Sequence, residues 1–243
     1  MISFGNWIKL LLKCRNQGGG SKLLIDYKKC ADIIFSIHQI RPKNVYHIGA
    51  HVGEELDAYV DNGVRKIIWF EANESLLKTL SKNIYRFRWH KLKQQIINKA
   101  LWNENTELEF NISNNTQCSS FLDLDRHVIY YPEVRVVDKH KIKAYRLDSL
   151  IENHEENILF SDPQFINIDT QGSELKIIEG MGRYIGIRSL IAIYIEVNKE
   201  NLYKNVPQVD ELDSYLRPHN FHRMVTKWTS EGWGDALYIR SRE

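Results

Sequence analysis

The sequence predicts an α/β fold, a mostly parallel sheet covered on both faces, with an antiparallel hairpin at its edge. Three observations carry that expectation. From residue 44 to 102 short apolar runs alternate with longer amphipathic segments, the pattern of strands joined by helical crossovers. The first run, "NVYHIGA", leads directly into the turn Gly49-Ala50-His51-Val52-Gly53. The chain closes on "FHRMVTKWT" and "GDALYIRS", separated by "SEGWG", which suits a hairpin.

Taken in order, Phe4, Trp7, Ile8, Leu11 and Leu12 recur at helical spacing until "NQGGGS" at 16–21 breaks the pattern, giving an amphipathic arm on a Gly-rich hinge. Two readings of the arm stand. It docks on its own domain or on a second subunit of a homodimer, or it lies on a membrane surface as a peripheral contact. "YKKCADIIFSIHQI" (27–40) is a second helical pattern that stops at Arg41-Pro42, so the chain divides into a helical arm, 1–41, and a main domain, 42–243. In that domain 44–50 reads as a strand, 53–62 as a helix, 66–72 as a strand, 74–85 as a helix and 94–102 as a strand. "ELEFNIS" is a further strand, "NNTQCSSFLDL" a polar loop, and 127–148 a long mixed segment ending in "YRLDSLI". A helix-like stretch then precedes the strand "QFINID", which is followed by a helix at 173–183, the strand 190–197 and a helix around 207–217.

Composition narrows the function. With 243 residues, 43% hydrophobic and 26% charged, the chain is an ordinary globular one with ample material for a core. A net charge of +2 gives no support for a nucleic-acid footprint, and the basic run Arg86-Phe87-Arg88-Trp89-His90-Lys91 reads as a solvated helix end. Three widely spaced cysteines argue for a reducing, cytoplasmic compartment and against a disulfide framework or a zinc site. No apolar run approaches the roughly 20 residues that cross a bilayer.

The chemistry concentrates where strands end. A glycine at the exit of the first strand permits a tight turn and close backbone approach to a ligand, but the spacing is Gly-x-x-x-Gly, not the dinucleotide Gly-x-Gly-x-x-Gly. Glu54 and Glu55 at the following helix start would repel a pyrophosphate, so the loop suits a ligand with a cationic or zwitterionic part. Glu71 ends the second strand about 20 residues on, where a carboxylate is placed to accept both hydroxyls of a ribose. A ribose-bearing ligand without phosphate points to S-adenosyl-L-methionine.

"HIGAHVGEE", "FEAN", "ALWN", "CSSFLDL", "RLDSL", "IDTQGSELKIIEG", "IEV" and "GWGDALYIR", in that order, resemble the FkbM-type methyltransferases over roughly residues 44–240. The resemblance implies a class I methyltransferase fold, Rossmann-like, with a seven-stranded sheet and a final antiparallel strand. It implies methyl transfer to oxygen, commonly a hydroxyl of a sugar, a glycan or a secondary metabolite. Around the cofactor it places Gly49, Ala50, His51, Gly53 and Glu54 of the glycine loop, Glu71 and Ala72 after the second strand, and Ala100. It adds the paired Ser119 and Ser120. His47 stands where many relatives have an aspartate that organises the methionine end; a histidine satisfied at a strand end is the alternative.

Ligands of open α/β sheets bind outside the carboxyl ends of the strands, so Asp169, at the end of "QFINID", faces the methyl group and the incoming hydroxyl. A carboxylate there can accept the proton of a weakly nucleophilic alcohol as the new bond forms. Gln171 offers its amide to substrate or cofactor, and Glu196, ending the next strand, lies beside Asp169 in the inferred strand order. The pair binds the acceptor or, as the lesser reading, a divalent ion. Glu174 either contacts substrate or caps the helix it opens. In the irregular segment 111–148, His127, Tyr130, Tyr131 and Arg135 suit stacking on, or hydrogen bonding to, a polar ring. His219 and His222 read as structural or surface groups. A nitrogen methyltransferase is disfavoured because "DTQG" lacks the two prolines and aromatic that grip a planar amine, and a nicotinamide enzyme because the third glycine is missing. From another class, a cofactor-binding assembly protein without catalysis remains the competing reading, against which the acids Asp169 and Glu196 weigh.

Overall fold

The computed structural model describes residues 24–86, 91–153 and 156–242. The amphipathic segment from Phe4 to Leu12, with its subunit and membrane readings, and positions 87–90 of the basic run lie outside the described residues. In chain order the first half contains α1 (Tyr27–His38), β1 (Asn44–Ile48), α2 (Leu56–Asp61), β2 (Lys66–Phe70), α3 (Leu77–Tyr85), β3 (Lys93–Ile97), β4 (Ala100–Leu101), β5 (Thr106–Ser113), α4 (His127–Tyr130) and β6 (Val136–Tyr145). The second half contains α5 (Leu147–Glu152), β7 (Phe165–Ile168), α6 (Glu174–Glu179), β8 (Ala192–Asn198), α7 (Val209–Leu216), β9 (Phe221–Trp228) and β10 (Trp233–Arg240).

Seven strands form one sheet in the order β3-β2-β1-β7-β8-β10-β9. The first five are parallel, and β10 runs antiparallel to both β8 and β9, so the C-terminal hairpin is present with its second strand inserted inside the first. The central strands read as unbroken apolar runs because both of their faces are covered. Tyr46, Ile48, Phe70, Ile166 and Ile195 pack on one face with Leu150 of α5, Ile177 of α6 and Leu212 of α7. Val45, Ile67, Trp69, Phe165 and Tyr194 pack on the other with Ile34 of α1, Tyr59 of α2 and Leu80 of α3. Helix α1 starts at Asp26, whose side chain accepts from the Lys28 N–H at 2.8 Å, and ends at Gln39 in the left-handed conformation, ahead of Pro42. Its buried Tyr27, Cys30, Ala31 and Ile34 make it part of this core.

Two stretches depart from the sequence expectation. The single strand expected over 94–102 is two strands in different sheets, because Asn98 turns the chain by donating its amide to the Glu71 carbonyl at 2.8 Å. The mixed segment 127–148 resolves into the short helix α4 and the ten-residue strand β6, the centre of a second sheet ordered β4-β6-β5. Residues 137–141 of β6 are exposed, so no apolar alternation marks it. It is held by its ladder to β5, across which Lys143 lies opposite Glu107 and Lys141 opposite Glu109, while Lys139 Nζ meets Glu109 Oε1 at 2.6 Å.

The order of the large sheet reverses between β1 and β7, and the crevice outside their carboxyl ends is where a ligand of such a sheet sits. Just below it, neighbouring His47 and Asn167 share Tyr59 of α2: His47 Nδ1 is 2.9 Å from the phenol oxygen, and the Asn167 amide donates to it at 3.2 Å. Burial holds the Tyr59 phenol far above its ordinary range, so it keeps its proton and donates it to the imidazole. Tyr59→Phe removes the shared hydroxyl and should cost about 1–3 kcal/mol. In a domain of this size that lowers Tm by about 2–4 °C per kcal/mol, measurable by calorimetry.

Candidate active site

The glycine loop closes on protein before it reaches any ligand. Gly49 has φ +84°, and a Cβ placed on it would lie 1.9 Å from the Asp169 carbonyl oxygen. Only a residue without a side chain lets β1 exit against β7 this closely. The N–H groups of Gly49 and Ala50 both donate to the Phe70 carbonyl at 3.0 Å, which ties the same loop to the end of β2. Ala50 is fully buried, and Gly53, at φ +75°, turns towards Leu80 and Ile84 of α3. The helix after the loop begins at Leu56, three residues later than the expected 53–62.

Glu71, buried at the end of β2, is held by main chain: Oε2 accepts from the His51 N–H and Oε1 from the Asn73 N–H, each at 2.7 Å. A carboxylate has about four lone-pair sites, so both oxygens keep the capacity to accept ligand hydroxyls. The loop that carries the glycines and the acid beside it are therefore one unit.

Asp169, Gln171 and Glu196 come together as expected from their strand ends, but the amide has a different role from the one the sequence suggested. Gln171 Nε2 donates to Asp169 Oδ1 and to Glu196 Oε2, both at 2.8 Å, and its Oε1 accepts from the Tyr203 hydroxyl at 2.9 Å. Both amide hydrogens are spent on carboxylates, so the side chain joins the two acids and has no donor left for a substrate. Burial, with the nearby Cys118 thiol and the carboxylates of Glu196 and Asp169, keeps the Tyr203 phenol well above its ordinary range, and it serves as the donor to Gln171. Gln171 itself sits at φ +58°, a left-handed conformation for a residue with a side chain. Ser120 pins it there by donating its hydroxyl to the Gln171 carbonyl at 2.7 Å, while accepting from the Leu122 N–H at 2.9 Å.

Glu174 is buried and turned back into its own loop, where Oε1 accepts from the Thr170 N–H at 2.9 Å, the Thr170 hydroxyl at 3.0 Å and the Gly172 N–H at 3.1 Å. It organises the turn between β7 and α6. Desolvation pushes its carboxyl up to about 7 against these backbone bonds.

These loops border an open cleft of about 760 Å³, counted to its mouth. Gly49, His51, Glu71, Ala72, Ala100, Ser119, Asp169 and Gln171 line it. His47 does not: its ring lies among Tyr59, Asn167 and Trp69 on the α2 face, with Glu55 3.7 Å from Nε2, as a satisfied strand-end histidine would. Glu54 lies behind the loop, 2.9 Å from the His51 ring. The candidate acceptor groups of 127–135 are not gathered in the cleft. His127 is buried between the rings of Tyr131 and Tyr203, and desolvation lowers it to about 4, so it is neutral. Tyr130 and Arg135 are exposed.

The cleft also contains groups the sequence did not single out. Asn73 Nδ2, Gln117 Oε1 and Ser173 Oγ line it, are buried, and have no hydrogen-bond partner among the described residues. Buried polar atoms left without partners cost free energy that a polar ligand would recover. Asn73 stands inside "FEAN", and Gln117 directly before "CSS", so both were adjacent to recognisable motifs. Among the described residues no group of three or more His, Cys, Asp or Glu is arranged to hold a metal ion, and no helix is long and apolar enough to cross a membrane.

Comparison with known proteins agrees with this architecture. A family model described as a methyltransferase FkbM domain matches residues 47–223, most of the chain. Among solved structures the chain is similar to the methyltransferase FkbM from Methylobacillus flagellatus KT, with 14% identity and a TM-score of 0.55, covering 96% of this chain and 59% of that one. The chain thus spans less than two thirds of that protein's length. It is also similar to the magnesium protoporphyrin IX methyltransferase ChlM from Synechocystis PCC 6803, solved with bound SAM, at 7% identity and a TM-score of 0.51, covering 99% of this chain and 86% of that one. At these identities the likeness to solved structures establishes the fold. No curated protein matches the sequence significantly.

Glu174 generates a pH-dependent stability. Its carboxyl, ordinarily near 4.5, titrates near 7 in the folded chain, so its contribution is fully present below about 4.5 and is lost as pH rises through 7. Glu174→Gln keeps an oxygen for the three donors and removes the charge. Its Tm should approach that of the wild type near pH 4.5 and exceed it by several degrees at pH 8, since each pKa unit corresponds to about 1.4 kcal/mol. Differential scanning calorimetry across that range reads the crossover, and a wild-type advantage at pH 8 would contradict it.

Proposed function

The chain belongs to the FkbM methyltransferase family, and on that premise we propose that it is an S-adenosyl-L-methionine-dependent O-methyltransferase acting on a hydroxyl of a sugar, glycan or secondary metabolite. The observation that carries the reading is the arrangement around Asp169: a half-buried carboxylate at the switch point, bordering a cleft whose other wall is the Glu71 and glycine-loop unit. The cofactor fits the groups present. Glu71 retains acceptor sites for ribose hydroxyls, Asn73 offers an amide donor, and Gln117 and Ser173 offer buried polar atoms that await partners. When bound, the cofactor supplies an electrophilic methyl group.

The chain's own residues do the rest. Gln171 bonds Asp169 through Oδ1, which leaves Oδ2 as the atom that takes the proton of an incoming hydroxyl as its oxygen forms the new bond to carbon. The same amide holds Glu196 beside it, so the two acids keep a fixed separation while the proton moves. Phe110 of β5 and Phe121 of the segment that follows it wall the cleft with apolar surface and exclude water from the reacting atoms. Thr170-Gln171-Gly172 after the acid, in place of prolines and an aromatic, supports an alcohol over a planar nitrogen as acceptor.

Calorimetric titration with S-adenosylmethionine and with NADH tests the cofactor, and binding of the methyl donor alone is expected. Glu71→Ala should weaken that binding about tenfold or more, since hydrogen bonds to a charged group contribute about 1.5–3 kcal/mol. No binding of either ligand by folded protein would bring the assembly-protein reading forward. Asp169→Asn preserves the oxygen that meets Gln171 and should lower kcat on hydroxyl acceptors by about 10²–10⁴-fold with cofactor affinity kept, the range for loss of a general base. Unchanged turnover would remove Asp169 from that role.

A further inference from the structure

His51 occupies a backbone conformation that a histidine adopts at a cost. Its φ is +48°, in the left-handed region where glycine and asparagine are at ease, and residues held there cluster at ligand clamps and switch regions. Its main-chain N–H and both ring nitrogens are engaged. The main-chain N–H donates to Glu71 Oε2 at 2.7 Å, ring Nδ1 lies 2.9 Å from Glu54 Oε1, and ring Nε2 lies 2.9 Å from Thr116 Oγ1.

The last contact crosses the cleft. Thr116 opens the 3-10 turn Thr116–Cys118, which follows β5 of the second sheet, whereas His51 belongs to the loop after β1 of the large sheet. His51, Thr116 and Gln117 all line the cleft, and Gln117 Oε1 is buried with no hydrogen-bond partner among the described residues. A carboxylate only accepts, so Nδ1 carries the proton towards Glu54 and Nε2 accepts from the Thr116 hydroxyl. If the ring gains a second proton, Nε2 donates to the same oxygen, and the contact survives in either state.

We propose that the His51 imidazole is a positioning residue for the cofactor: it latches the Thr116–Cys118 turn against the glycine loop and so holds Gln117 in place as one wall of the cofactor site. The inference rests on the S-adenosylmethionine reading of the cleft and goes beyond the backbone role that the glycine-loop motif gives this position. Through Glu71 the same residue couples that wall to the carboxylate placed for the ribose.

His51→Asn separates a latch from a fold element. Asparagine suits the left-handed backbone and keeps the N–H to Glu71, but its amide is too short to reach Thr116. Thr116→Val removes the other partner. With S-adenosylhomocysteine as the probe, calorimetry and stopped-flow dissociation should show Kd raised up to about tenfold in each variant, carried by faster release, as loss of one neutral hydrogen bond at the strong end of its range implies. The double variant should be no weaker than the weaker single one. The ligand-free Tm of His51→Asn should equal or exceed that of the wild type. Wild-type affinity in His51→Asn, additive losses approaching a hundredfold, or a Tm that falls together with affinity would each overturn the latch. Failure of the wild-type protein to bind the probe would instead overturn the cofactor reading, and the latch with it.

Discussion

A carboxylate removed from water costs several kcal/mol unless donors meet it, and this constraint shapes every loop around the cleft. Glu71 is met by the N–H groups of residues 51 and 73, Glu174 by donors from residues 170 and 172, and Asp169 and Glu196 share the Gln171 amide. The donors come from the loops themselves. Each acid therefore dictates the conformation of the chain segment that satisfies it, and the left-handed residues His51 and Gln171 sit where that demand is strongest. Burial of charge and precision of the site are the same fact seen from two sides.

The two sheets divide the work. The large sheet brings Gly49, Glu71, Asp169 and Glu196 to one end through ordinary strand pairing, and it is rigid because both faces are packed. The small sheet is polar and largely exposed, and Phe110 of β5 together with Gln117, Ser119 and Phe121 of the segment that follows it forms the opposite wall. That segment is fastened to the body from two directions, Thr116 to His51 and Ser120 to Gln171. The glycine loop and the loop after β7 are thus held by neighbouring residues of one segment.

Much of the fold was legible because parallel strands buried on both faces leave apolar runs, as in "FINI" and "AIYIEV", and glycine marks the turn at β1. The acids at strand ends were legible for a related reason: nothing in a core explains them. What escaped notice depends on contacts distant in sequence. The break at Asn98 needs the Glu71 carbonyl, the position of β6 needs its ladder to β5, and the part played by Gln171 needs Tyr203 and Ser120. His47 shows the same limit. Its neighbours in sequence suggest a cofactor ligand, whereas its face of the strand, shared with Asn167 and Tyr59, directs it into a packed network.

The absence of a side chain at Gly49 has a consequence for how much change the site tolerates. Because β1 exits in contact with the Asp169 carbonyl, the glycine loop and the strand carrying the acid share one van der Waals boundary. Neither segment can change shape without displacing the other. The same constraint recurs beside the small sheet, where a Cβ on Gly180 would lie 2.0 Å from the carbonyl oxygen of Trp102, directly after β4. Two missing side chains thus set how closely the parts of the molecule meet on either side of the cleft.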